Sequence, residues 1–371
     1  MQTSLETTLA ELIAFPSVTK NPDACLEALK YARDQLAHLD LHITSSDPSA
    51  VSPWFFATTQ KTLTPEILLV AHLDVVPGPD KLFTLQRSHD KLLGRGVYDM
   101  KLAAACYLEF FTSHSSELAS LDIGVLFTTD EEIGGDSLRE IFATGLRPKT
   151  AFIPDGGDNW QVEARAKGLY GLALSAKGKT AHGSRPWEGD NALHRILDMC
   201  HILRNEFVFT DPSGSTLAVT RVQGGVAFNQ ITDQASAHLD FRSFEAAELA
   251  RFRQRASELA EDHQVEVTFV QSGSPVIFEK DHEAVQSFLR TLSNLRGTPI
   301  EYCESYGGSD ARYFAEYNVP CIIMEPYGGG RHAESEWLLA SDLNEYYRLI
   351  ETWLLAGVST PASSHQQVTA A

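Results

Sequence analysis

Residues 67–74, ILLVAHLD, run apolar for five residues and then deliver His72 and Asp74. An unbroken apolar run of this length is the signature of a parallel strand buried on both faces. His72 and Asp74 stand two apart, so along a strand they share a face, and the carboxylate can orient the imidazole. Three further runs close on residues of the same chemistry: IGVLFTTDEE on Glu131 and Glu132, TAFIPD on Asp155, and PCIIMEPYGGGRH on His332. In an open α/β sheet the ligand crevice lies beyond the carboxyl ends of the strands. Four such ends along one edge point to a dinuclear metal site.

Working outward, helical and strand patterns alternate as in a mostly parallel α/β sheet flanked by helices. Helices are expected near Pro22–Leu39 and Lys101–His114, around the strands that enter His72 and Glu131. After Asp155 the pattern changes: strand 169–177, helix 190–207, strands 216–222 and 234–242, helix 245–262, strand 265–271. That β-α-β-β-α-β order predicts an inserted ferredoxin-like α+β domain. From Glu279 the α/β pattern returns, with helices at 282–295 and 311–317, a strand at 321–324 and a closing helix at 342–355. The expected division is 1–166 and 276–358 for the larger domain, 167–275 for the insert, and a disordered polar tail over 359–371.

The chain has 371 residues, 43% hydrophobic and 21% charged, with a formal net charge of −19. Such an acidic balance argues against nucleic-acid binding, which needs clustered Lys and Arg. No stretch reaches the roughly 18 apolar residues of a membrane span. The N-terminal stretch carries Glu6 and Glu11 and lacks the pattern of a targeting peptide. Five cysteines without CxxC spacing suit reduced thiols, so a cytoplasmic location is expected.

Asp99 in GRGVYDMK precedes a helix, where Asp is a common N-cap, yet a loop carboxylate at a sheet edge can also bridge two ions. In Asp130-Glu131-Glu132 one acid can bind metal while its neighbour carries a proton. Two histidines and three carboxylates form a nitrogen and oxygen donor set suited to paired zinc, with no thiolate needed.

AHLDVVP, GRGVYDMK, TTDEEIGG, PDGG, GKTAHGSRPWEGDNAL, GGVAFNQI with LDFR, GGSDARYF and GGGRHAESEW occur in this order over almost the whole chain. Together they resemble the dizinc family of aminoacylases, glutamate carboxypeptidases, acetylornithine deacetylases and succinyl-diaminopimelate desuccinylases. The resemblance implies two Zn2+, with Co2+ or Mn2+ as substitutes: His72 and Asp155 on one ion, Glu132 and His332 on the other, Asp99 bridging. It makes Glu131 the general base and Asp74 the carboxylate behind His72. His182 is implied to reach the active site of a partner subunit, in a homodimer formed through the inserted domain. Asn229 and Arg242 are implied to hold substrate, the guanidinium gripping a carboxylate. Asp155 stands in PDGG, where acetylornithine deacetylases carry Glu before Pro, and this leans toward the peptidases. The expected activity is hydrolysis of an amide bond in small peptides bearing a free carboxylate. Deacylation of N-acyl amino acids comes second, and a non-catalytic metal-binding relative is the remaining alternative.

Overall fold

The computed structural model describes residues 3–47 and 49–357, so the expected disordered tail lies outside the described residues. Two compact units emerge: residues 3–163, 278–303 and 317–357 form the larger, and Ala164–Ile277 with Glu304–Glu316 the smaller.

The larger unit is built on a six-stranded sheet, ordered His42–Ser45, Phe55–Thr58, Ile123–Thr128, Ile67–His72, Ala151–Phe152 and Cys321–Ile322. The last four strands run parallel, and the first two, which the sequence reading does not contain, add an antiparallel edge. Every residue of Ile67–His72 and Ile123–Thr128 is buried, which is why neither strand alternates in polarity. The helix Lys101–Ser113 is likewise buried on nearly all sides. It packs among Leu5, Leu9 and Leu12 of the helix Ser4–Ala14, and it shares one core with Trp353 and Phe288. Trp353 sits edge-on to both Phe152 and Phe288, at ring-centre distances of 5.5 and 5.1 Å.

A second, smaller sheet in this unit positions two loops. It joins Gly328–Gly329, Trp337–Leu339, Lys91–Leu93 and Gln86–Ser88, all antiparallel. Residues 330–336 are therefore the loop of a hairpin, and residues 94–100 leave the neighbouring strand toward the helix Lys101–Ser113. Strands of two or three residues carry too little periodicity to be read from sequence.

The smaller unit is an antiparallel sheet ordered Thr216–Gly224, Gln234–Ser243, Gly168–Lys177 and Glu266–Gly273, with the helices Ala192–Glu206 and Ala246–Asp262. This is the split βαβ order. Its core stacks Phe241 on Phe252 at 4.0 Å, with Leu172, Leu174 and Ile196 buried around them. The short helix Ala311–Ala315 groups with this unit, whereas the sequence reading places it in the returning α/β domain. The segment that leads into this helix is tied to the same unit: Lys167 N donates to Ser305 O, and Arg165 pairs with Glu304.

Candidate metal centre

His72 is the last residue of its strand and is 1% exposed. Its Nδ1 donates to the main-chain carbonyl of Asp74 at 2.9 Å, while the Asp74 carboxylate lies farther off at 3.5 Å. That hydrogen bond turns the lone pair of Nε2 toward the site. The Asp74 carboxylate has other partners: it accepts from Thr19 Oγ1 at 2.8 Å and from the backbone N–H groups of Glu131 and Glu132 at 3.2 Å each. Asp74 thus holds the start of the acidic turn as well as the imidazole.

Asp99 does not cap the helix that follows it. The N-cap is Met100, with no side-chain cap, and the Asp99–Met100 peptide is cis. Its two carboxylate oxygens diverge instead. Oδ1 lies 3.2 Å from His72 Nε2, and Oδ2 lies 3.2 Å from His332 Nε2. His332 Nε2 is also 3.1 Å from Glu132 Oε2. Of the three consecutive acids, Asp130 turns away and accepts from Ser137 N and Oγ at 2.9 and 2.5 Å.

Two clusters result. Single ligand atoms of His72, Glu131 and Asp155 lie within 4.8 Å of one another, and the same holds for Asp99, Glu132 and His332. The donors are imidazole nitrogen and carboxylate oxygen, and one carboxylate faces both clusters. The set fits two divalent ions of zinc-like preference. His72, Asp99, Glu132, Asp155 and His332 would hold them.

Ionisation follows from this crowding. Burial opposes the charge on His72, but hydrogen bonds to Asp74 and Asp99 outweigh it and leave its pKa well raised. Burial also opposes the Asp99 charge, and the two imidazoles overcome it, so its pKa is lowered. Glu132 is pushed up to about 7 by burial, against the pull of His72. Burial and the nearby Asp99 raise Asp155. The Asp99 hydrogen bond raises His332.

Two residues that the sequence reading quotes but leaves without a role hold the centre from behind. Glu336, 2% exposed, accepts from the N–H groups of Gly96, Tyr98 and Asp99 at 2.9–3.1 Å. It also accepts from Arg95 Nη1 at 2.9 Å. Arg95 in turn donates to the carbonyls of Ala333, His332 and Pro77 at 3.2, 3.3 and 3.4 Å. This buried pair ties the Asp99 loop to the His332 loop. Only the repeated presence of charged residues inside glycine-rich motifs hinted at it.

The remaining predicted site residues belong to the smaller unit. His182 and Asn229 come together: Ala181–His182 pairs with Gln230–Ile231, and Gly183 N donates to Asn229 O at 2.6 Å. His182 is exposed, with Nδ1 2.7 Å from Ser184 Oγ. Arg242 lies near the end of Gln234–Ser243, where it grips Asp240 at 2.8 and 3.1 Å and donates to Tyr306 O at 3.3 Å.

Residues 68–356 match the model of peptidase family M20/M25/M40. The chain belongs to this family. Its fold and reaction class agree with the resemblance carried by the motifs. The family makes it a metal-dependent hydrolase of amide bonds. Among curated relatives, a putative succinyl-diaminopimelate desuccinylase of Mycobacterium tuberculosis is 29% identical over 287 residues, 73% of this chain and 76% of that protein. A succinyl-diaminopimelate desuccinylase of Legionella pneumophila is 25% identical, covering 95% of this chain and all of its own length. Among solved structures, a tripeptidase from Staphylococcus aureus superposes with a TM-score of 0.78 at 19% identity, covering 95% of this chain and 98% of that one. An M20 family metallo-carboxypeptidase from Sulfolobus solfataricus gives a TM-score of 0.75 at 16% identity, with coverage of 95% and 98%. Among the described residues no helix is long and apolar enough to cross a membrane.

Proposed function

We propose that this chain is a dizinc hydrolase of small peptides with a free carboxylate. The observation that carries the reading is Asp99, whose two oxygens each face a different imidazole. His72, Asp99, Glu132, Asp155 and His332 would hold two divalent ions there, and such ions would supply polarisation of the scissile carbonyl and a water whose pKa is lowered toward neutrality. Glu131 takes the proton of the attacking water and later passes it to the leaving amine. Asp74 fixes the N–H groups of Glu131 and Glu132, so that base and ligand keep separate places on one turn. His182, supplied by the partner in a homodimer formed through the smaller unit, donates to the oxyanion. Asn229 and Arg242 hold the substrate, the guanidinium taking its carboxylate. The five cysteines, all free thiols, support a cytoplasmic location.

A second reading, deacylation of N-acyl amino acids, is favoured by the similarity to desuccinylases. Zn2+-loaded protein assayed against dipeptides, C-terminally free peptides, N-acetyl and N-succinyl amino acids separates the two. The first reading expects peptides to give the highest kcat/KM, and a preference for the acyl substrates would replace it. Glu131→Gln should keep its metal and lose about 10²–10⁴ in kcat. Unchanged hydrolysis would remove Glu131 from its role.

A further inference from the structure

The His332 loop carries an arginine, Arg331, to which the proposed mechanism gives no role. Arg331 Nη1 donates to Asp155 Oδ1 at 2.8 Å, and its Nη2 contacts Glu325 Oε2 directly and Asp158 Oδ1 at 3.4 Å. Glu325 is 0% exposed. The guanidinium carbon also stands 5.3 Å from the ring centre of Tyr98, the residue before Asp99. Tyr98 is itself anchored, its hydroxyl donating to Pro326 O at 3.2 Å.

We infer that Arg331 is a positioning residue that sets Asp155 for the His72 half of the metal centre, with Glu325 as its buried counter-charge. This rests on the dinuclear reading above. A carboxylate free on both oxygens can rotate or chelate, whereas one held by a guanidinium offers the remaining lone pairs in a fixed direction. The Arg331 charge would weaken a neighbouring cation site if it stood alone. Glu325 cancels it, so Asp155 gains orientation and keeps its net charge for the metal. Glu325 is sealed from solvent, and its carboxylate meets the Arg331 guanidinium directly, which makes Arg331 its charge partner. Position in the chain adds a link, because the imidazole of the next residue, His332, serves the other half of the centre. One residue therefore ties the ligands of both halves.

Removing Arg331 alone strands a buried carboxylate, so the decisive variant is Arg331→Met with Glu325→Gln, which keeps the pocket neutral. The probe is Co2+, titrated into metal-free protein against a chelating indicator. The wild-type protein should take up two equivalents. The double variant should bind one equivalent as wild type does and the other about 10–100-fold more weakly, a cost common for partners behind a metal ligand. With saturating Co2+ its kcat should fall while KM stays within twofold. Arg331→Lys keeps the charge without the fork that spans Asp155 and Glu325, and should show a smaller loss of the same equivalent. Wild-type affinity for both equivalents in either folded variant would overturn the inference, as would equal weakening of both. If neither variant folds, Arg331 is a structural residue and the inference falls. A wild-type protein that takes up no Co2+ overturns the dinuclear reading and this inference with it.

Discussion

The two halves of the proposed metal centre use the same donors on different supports. His72 ends a strand inside the parallel sheet and is 1% exposed, whereas the side chain of His332 is 57% exposed at a hairpin loop. His72 is fixed by its strand and by the Asp74 carbonyl. His332 sits in the left-handed region at φ 62°, two residues after Gly330 at φ 76°. A Cβ on Gly330 would lie 2.7 Å from Ser335 O, so only glycine fits there. The sheet holds one imidazole through burial, and strain tied down by the buried Arg95 and Glu336 holds the other. Identical chemistry thus carries opposite consequences for stability.

Asp99 belongs to both halves, so Asp99→Ala should have the largest effect, with both ions lost and hydrolysis reduced to background. Retention of one tight equivalent of metal would show that the halves do not share it. Glu336→Ala removes the acceptor of three loop N–H groups and leaves Arg95 buried without its partner, at about 3–5 kcal/mol. Urea unfolding of metal-free protein measures this, and a loss under 1 kcal/mol would show that the loops are held otherwise.

His72→Ala strands buried partners and should cost about 1–3 kcal/mol in metal-free protein. Equal stability of the variant and wild type would erase the contrast between strand and loop. pH tests it from another side. With Glu132 at about 7 and both imidazoles raised, metal-free protein carries protons on these groups near neutrality. Those protons must leave before a cation enters, so apparent affinity for Zn2+ should rise between pH 6 and about 8. Calorimetry in buffers of different ionisation enthalpy counts the released protons, and none released would contradict the shifts. The smallest effect is expected from His332→Gly, which relieves the left-handed backbone. It should leave metal-free protein as stable as wild type or up to about 1 kcal/mol more stable, while metal binding is lost.

Much of this was legible before any fold was known. The strands Ile67–His72 and Ile123–Thr128 stood out because burial on both faces forces continuous apolar sequence. The acidic turn beyond the second announced itself by charge alone. The four-residue Tyr302–Ser305 and the ribbon that supports both loops were too short to leave a period. The strand-end pattern does not hold for one candidate ligand, since Cys321–Ile322 ends ten residues before His332. Asp74 illustrates a subtler limit. Its spacing from His72 put it on the same face, yet the atom that bonds the imidazole is its carbonyl, because the carboxylate accepts from the N–H groups of Glu131 and Glu132.

The sequence by itself determined which residue types stand at the sheet edge and the order of the long buried strands and of the inserted β-α-β-β-α-β elements, because strand burial and donor chemistry are properties of short segments. Only the tertiary structure decided which oxygen of Asp99 faces which histidine, and that Arg331, Arg95, Glu325 and Glu336 stand behind the candidate ligands. Those relations join segments up to 241 positions apart, as in the Arg95–Glu336 pair, and a buried charge finds its partner by position in space, leaving no pattern along the chain.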